Sequence, residues 1–424
     1  MVPFLRLLKK SAQLSMRKQI LTLTLVLASL GIAAQKEPNH IKSIQLKPLE
    51  EKNFSVIVPL GKTLELSFDD LEGDQKDYYY KLQLMNHDWT PSSLISNQYI
   101  EGFQSNTILT IQNSFNTRQN YTHYSIRFPN QNTRITKSGN YLLSVLDRDD
   151  EVVFNRRFVL YESAAVVGVS VSRGRELKNT NEQQTVNFTV NYPSIRVNNP
   201  NQEIHVAILQ NQNWRSALTG IQPQFYKPNQ LIYRHTNKTN FWGGNEYLFF
   251  DNKIIRNASI NVQRVERKDV FHNYLYPYKN REVKNYSYNP DINGQYIIRT
   301  IEGSDSKTEA DYAMMHFTLE VEKEFLNKEV YVYGGFNNFE FTEENRMVFN
   351  ASTKSYQSNF LLKQGFYNYT FVTRSYDDTI SESEIRGNFS KTENEYTVLV
   401  YYKALGALFD RVIGVGAITF QGER

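Results

Sequence analysis

The residues of this chain that could do chemistry are few and far apart. Its seven histidines are His40, His87, His123, His205, His235, His272 and His316. No two of them stand at a His-x-x-x-His spacing or in a His-Glu-x-x-His helix, the patterns that aim two imidazoles at one metal. No zinc site follows from such spacings. His87-Asp88 beside Trp89 offers a conceivable acid-base pair, and a loop closed around a buried tryptophan accounts for the same three residues. Neither a Gly-x-Ser-x-Gly elbow nor a Ser-x-x-Lys pair is placed at a strand-to-helix turn. The absence of cysteine removes thiol nucleophiles and disulfides, and with them any lipid attached at a lipobox. Gly168 to Gly174 lacks the lysine and the spacing of a phosphate loop. The expectation is therefore no catalytic residue, no cofactor, no metal and no small-molecule substrate. Trp214 and Trp242 are the candidates for a partner interface, because tryptophan is enriched at binding hot spots. A core or loop-locking role is the alternative for each.

The elements that would carry these residues read as strands. The chain holds 28 Tyr and 26 Phe, with heavy Asn, Thr and Val usage and no convincing amphipathic helix of three turns. Eight alternating runs, from Ile44–Leu46 to Val152–Leu160, crowd into the first part with turn residues between them, the spacing of an immunoglobulin-like or fibronectin-like sandwich. The whole is expected to be all-β, in consecutive sandwich domains. Composition shifts near Glu162-Ser163 and over Glu302 to Thr308 place the divisions at 35–162, 163–308 and 309–424. In the middle part, Phe241 to Phe250 joins a glycine pair to an aromatic strand. In the last, Lys363-Gln364-Gly365 reads as a tight turn, and Leu405 to Phe420 is glycine-punctuated and apolar, suited to a final strand or two.

Residues 1–34 read as a secretory signal. Met16-Arg17-Lys18, an alternative start, opens a basic region before the apolar run Ile20 to Ile32, and Gly31 and Ala33 stand where signal peptidase reads, with cleavage after Ala34 as the close alternative. The run falls short of the roughly 20 residues that span a bilayer. This segment holds Arg6, Lys9, Lys10, Arg17 and Lys18 and no acid, so without it 48 basic against 44 acidic residues become 43 against 44. The basic character belongs to the leader, and nucleic-acid binding loses its support.

The ordered set Tyr78-Tyr79-Tyr80-Lys81-Leu82, Asp88-Trp89-Thr90-Pro91-Ser92 and Asn97 to Phe103 carries a resemblance. Ser114-Phe115-Asn116-Thr117, Phe128-Pro129-Asn130, Ser138 to Leu143, Arg156-Arg157-Phe158 and Gly244-Asn245-Glu246-Tyr247 continue it. Together they resemble the plug protein family of the Bacteroidetes type IX secretion system. The resemblance implies a periplasmic protein that occupies the mouth of a very large outer-membrane translocon barrel when no substrate is passing. That barrel is the implied partner. A second likeness covers Val330 to Phe339 and Leu361 to Tyr369, which resemble the early-set sandwich modules of glycogen- and starch-acting enzymes. Some of those bind α-glucans, so the alternative function is a periplasmic glycan-binding accessory. The usual tryptophan after Asn337-Asn338 is Phe339 here, and these aromatics are expected in the core.

Overall fold

Alternation of apolar and polar residues becomes strand almost wherever it occurs in this chain. The computed structural model describes residues 37–50, 54–280 and 285–422. Among them, helix is confined to the single turn Pro200–Glu203 and the 3-10 turns Ser96–Gln98 and Gly335–Asn337. The fold is all-β. The expected leader, residues 1–34, lies outside the described residues, and Asn39–Arg424 forms one unit by its contacts.

The first sandwich pairs two sheets. One runs Ile41–Pro48, Leu64–Asp70, Thr122–Phe128, Thr110–Asn113, and the other runs Ile57–Pro59, Val152–Tyr161, Gly139–Leu146, Tyr79–Met85, Ser105–Thr107. Leu64, Leu66 and Phe68 project from the first sheet toward Leu82, Leu84, Leu143 and Val145 of the second, as period-two alternation requires. Each such side chain contributes roughly 1.5–3 kcal/mol relative to exposure. Phe68 stacks on Tyr124 at 5.1 Å and meets Phe154 edge-on at 5.1 Å.

The middle and last bodies are interleaved in sequence, which corrects the expectation of a last sandwich built from 309–424 alone. Ile204–Gln210 pairs along its whole length with Asn394–Tyr402, from Ile204 opposite Tyr402 to Gln210 opposite Tyr396. Arg411–Phe420 then adds to the far side of Asn394–Tyr402. Tyr396, Val398 and Val400 enter the same core as Val186, Phe188, Val190, Val206 and Ile208. The middle sandwich therefore consists of 166–242 plus 394–420. Its second sheet, Val166–Arg173, Gln183–Asn191, Gln230–Tyr233, Phe225–Lys227, carries Asn240–Trp242 beside Gln183–Thr185. The glycine punctuation of the tail now has a cause. A Cβ on Gly414 would stand 2.7 Å from the Ala165 carbonyl oxygen, and one on Gly416 would stand 2.7 Å from that of Val167, so the two sheets close along this side only if both residues lack side chains.

The third body is inserted between the two halves of the middle one. Its eleven-stranded sheet is ordered Leu248–Asp251, Gly365–Ser375, Lys328–Tyr333, Arg346–Asn350, Ser355–Lys363, Tyr312–Glu320, Phe271–Leu275, Val262–Arg267, with three short strands attached. Both ends of the sheet feed one core, in which Phe250 packs on Tyr367 and Phe317 while Phe271 and Leu275 join from the other end. The sheet wraps around its own interior.

Candidate functional site

The most concentrated chemistry lies where the first and third bodies meet. Leu64–Asp70 is buried along its whole length, although alternation leaves Glu65, Ser67 and Asp69 on the face opposite the core. Strands Tyr312–Glu320 and Ser355–Lys363 of the third body supply the cover. Asp69 and Lys363 are both almost wholly inaccessible, with Lys363 Nζ 2.6 Å from Asp69 Oδ2. The Tyr312 hydroxyl donates to that same oxygen at 2.7 Å, His123 Nδ1 lies 2.7 Å from Oδ1, and Ser43 Oγ lies 2.7 Å from the Tyr312 hydroxyl. Lys363 also donates to the Lys307 carbonyl at 2.7 Å and sits 4.0 Å over the Tyr121 ring. Burial pulls the Lys363 ammonium below its ordinary range. Burial works against the Asp69 charge too, and Lys363 and His123 nonetheless hold that carboxyl below the usual carboxylate range. The cluster has no route to a substrate. It is a lock between two bodies in which both charges are paired and hydrogen-bonded, as a buried ion pair requires, and of the cluster's buried polar atoms only His123 Nε2 lacks a partner among the described residues.

A second joint ties the first body to the middle one and gathers the residues the sequence singled out. Trp89, in left-handed backbone with φ 63°, is buried against Val159, Leu209, Leu399 and Val412. Trp214 meets it edge-on at 4.9 Å, and the Arg157 guanidinium lies 4.6 Å over the Trp89 ring. Trp214 thus contacts a partner within its own chain. The neighbouring His87 does not pair with Asp88. Asp88 turns back to accept from the backbone and hydroxyl of Thr90, at 3.0 and 2.6 Å. His87 reaches Asp410 instead, with Nδ1 at 2.6 Å and its backbone N–H donating to the same oxygen at 2.8 Å. Burial raises the Asp410 carboxyl, but the two His87 contacts and the Lys403 ammonium outweigh it and hold the group at about 2. His205 stacks on His87 at 3.9 Å, and burial followed by that neighbour lowers its own affinity for a proton.

The histidines that look scattered in sequence form a second pair in space. Tyr274 of one strand stands opposite His316 of the next. This register sets His272 Nδ1 2.9 Å from His316 Nε2, with Tyr274 stacked on His316 at 4.0 Å. Burial, then His272, Lys268 and Arg264, push His316 down to about 4. No spacing rule finds residues 44 positions apart, because strand partnership brings them together. One further group, His40, Asp70 and Glu72, has ligand atoms within 4.8 Å of one another. Lys76 already serves its carboxylates, at 3.0 Å from Asp70 and bonded also to Glu72, and the Tyr78 hydroxyl donates to Asp70 at 2.8 Å. The site of a cation is taken by an ammonium.

The remaining sequence candidates divide cleanly. Phe339, at the position where a sugar-binding module would carry tryptophan, is 7% exposed and packs with Tyr247, Tyr333 and Val372. Trp242 is 52% exposed and is held at its backbone, where Gln210 Nε2 donates to its carbonyl at 2.9 Å. A third joint, between the middle and third bodies, includes the bond from Asn213 Nδ2 to the Tyr333 hydroxyl at 3.2 Å and the one from Arg215 Nε to the Phe339 carbonyl at 3.1 Å.

Comparison with known proteins adds to this geometry. The family model described as "Type 9 secretion system plug protein 1st domain" matches residues 41–162, which are the first sandwich. A hypothetical protein from Parabacteroides merdae ATCC 43184, known from its crystal structure, is 31% identical, with a TM-score of 0.87 over 91% of this chain and 98% of that one. A biofilm associated protein B domain aligns at 7% identity with a TM-score of 0.17, and that likeness carries no argument. No curated protein matches the chain.

Proposed function

Since this chain belongs to the plug protein family of the type IX secretion system, we propose that it fills the periplasmic mouth of that system's outer-membrane translocon barrel between substrates. A family of secretion components rather than enzymes accords with the chemistry above, in which the charged clusters are spent on holding bodies together. Membership also favours a periplasmic location close to the outer membrane. The observation that carries the reading is the set of three joints. A stopper for a pore wide enough to pass folded proteins has to keep its shape without a ligand. Three sandwiches pinned by the Asp69–Lys363 lock, the Trp89–Trp214 contact and the Asn213–Tyr333 contact meet that demand. The partner surface of a water-filled lumen is polar, so affinity would come from shape and wet polar contacts rather than a greasy patch.

The test is purification of the tagged chain from detergent-solubilised envelopes, together with a deletion strain. The expected result is recovery of a very large barrel protein. The deletion strain should export cargo nearly normally yet become permeable to large antibiotics, and only while the translocon is present. A deletion strain no leakier than its parent, combined with failure to recover a barrel, would sink the proposal.

A further inference from the structure

The middle sandwich presents an outer face poor in charge. On Gln183–Asn191, the residues Val186, Phe188 and Val190 enter the core. Thr185, Asn187, Thr189 and Asn191 therefore project from the opposite side. By register, Gly168 and Ser170 lie beside them on one flank and Ile232 and Gln230 on the other, with Phe225 and Lys227 one strand further out. Lys227 is the only charged side chain these strands place on that face, in a chain whose composition is 22% charged. Charges resume just beyond the strand ends, at Arg234 after Gln230–Tyr233 and at Glu182 before Gln183–Asn191.

Thr185 is wholly buried and Asn187 nearly so, and the half-buried polar groups around them are held by one another. Thr185 Oγ1 donates to Asn240 Oδ1 at 2.8 Å, and Asn240 Nδ2 donates to Gln183 Oε1 at 3.2 Å. This fixes three side chains in a row next to Trp242, which stands opposite Gln183 in the pairing. Further along, Gln230 Nε2 donates to Asn191 Oδ1 at 2.8 Å. Between the two rows Asn187 is 7% exposed, and its Oδ1 has no hydrogen-bond partner among the described residues, nor does Ser172 Oγ. At the far end Phe225 is 53% exposed.

We propose that this face binds a neutral glycan chain. The C–H face of a hexose ring is apolar and stacks on an indole, while its rim of hydroxyls needs both donors and acceptors, which amides and hydroxyls supply together. Other classes of partner fit less well. Nucleic acid and anionic lipid call for clustered cations, and this face has one at its edge. The buried centre of a protein interface is enriched in Tyr, Trp, Met and Arg and depleted in Ser; here Trp242 and Phe225 stand apart, and Ser, Thr, Asn and Gln fill the ground between them. Trp242 and Phe225 stand opposite Gln183 and, through Ile232, Thr189. That offset of six residues corresponds to about 20 Å along the strand, the reach of an oligosaccharide rather than of one ring. The proposal does not depend on the barrel, and it moves glycan recognition from the last sandwich, whose Phe339 is buried, to the middle one.

Native affinity electrophoresis of the full chain tests it, in gels containing dextran, a soluble β-1,3-glucan, xylan or galactomannan. Wild-type protein should be retarded by at least one of these, and free glucose should not reverse the retardation. Trp242→Ala should weaken it about tenfold or more, and Asn240→Ala should weaken it measurably. Both variants should keep the wild-type Tm and circular dichroism, which shows that the loss is not one of folding. Retardation in none of the four gels overturns the proposal, as does equal retardation of Trp242→Ala. Loss of barrel recovery by Trp242→Ala without any glycan binding would also overturn it and assign the face to a protein. Failure to recover a barrel with wild-type protein, in contrast, would bear only on the plug reading.

Discussion

Asp69 and Lys363 are both buried at 2.6 Å from one another, and each is tolerable only because the other is there. Removing one partner leaves a desolvated charge. Lys363→Met should therefore destabilise the protein by about 3–5 kcal/mol, read from urea unfolding. The double variant Asp69→Leu, Lys363→Met should cost clearly less than the two single changes added together. Near-additive losses would show that the pair is not coupled. A second residue-scale prediction concerns acid. His316 is held at about 4 in the folded state against roughly 6.5 when unfolded, so the unfolded chain binds the proton first. Its contribution to stability is present above pH 6.5 and is lost as pH falls toward 4. His316→Asn should lose less stability than wild type between pH 7 and pH 4.5, and an identical loss would remove His316 from the account. Neither group was legible in the sequence as a site. His272 and His316, or Asp69 and Lys363, become neighbours through strand pairing and the docking of whole bodies, and local spacing encodes neither.

At the scale of strands, the period-two signal specifies which residues face inward but not which strand lies alongside. Asn394–Tyr402 was readable as a strand from Tyr396, Val398 and Val400. Its partner, Ile204–Gln210, alternates just as well, and nothing in either run distinguishes this match from a local one. The same limit explains Leu64–Asp70, where alternation turns Glu65, Ser67 and Asp69 away from the core and Asp69 meets Lys363 of the third body, 294 residues on. A fragment comprising residues 309–424 should accordingly fail to fold. It contains Asn394–Tyr402 without Ile204–Gln210, and Gly365–Ser375 without Leu248–Asp251. A native-like β spectrum with a cooperative melt would contradict the sheet pairing described here. Gly416→Val should also destabilise, because its side chain would collide with the Val167 backbone. Trp89→Ala, which empties the centre of the second joint, should cost about 3–5 kcal/mol. Both are checked by denaturant midpoints.

For the molecule as a whole, three bodies sharing buried joints should unfold together. Calorimetry is expected to give one transition whose van't Hoff and calorimetric enthalpies agree. Separate transitions in wild type that persist unchanged in Lys363→Met would mean that the joints do not couple the bodies. The insertion of the third body into the middle one also has a consequence in time. Delivered N-terminus first, the chain presents Ile204–Gln210 and Asn213–Thr219 early, and the strands that complete their sheet follow only after about 175 further residues. Throughout that interval the edge of Ile204–Gln210 that is to pair with Asn394–Tyr402 stands open, while the inserted body can already close. The nascent middle sandwich is thus a half-built structure that waits on its own last strands, and it is the segment on which a holdase would find purchase.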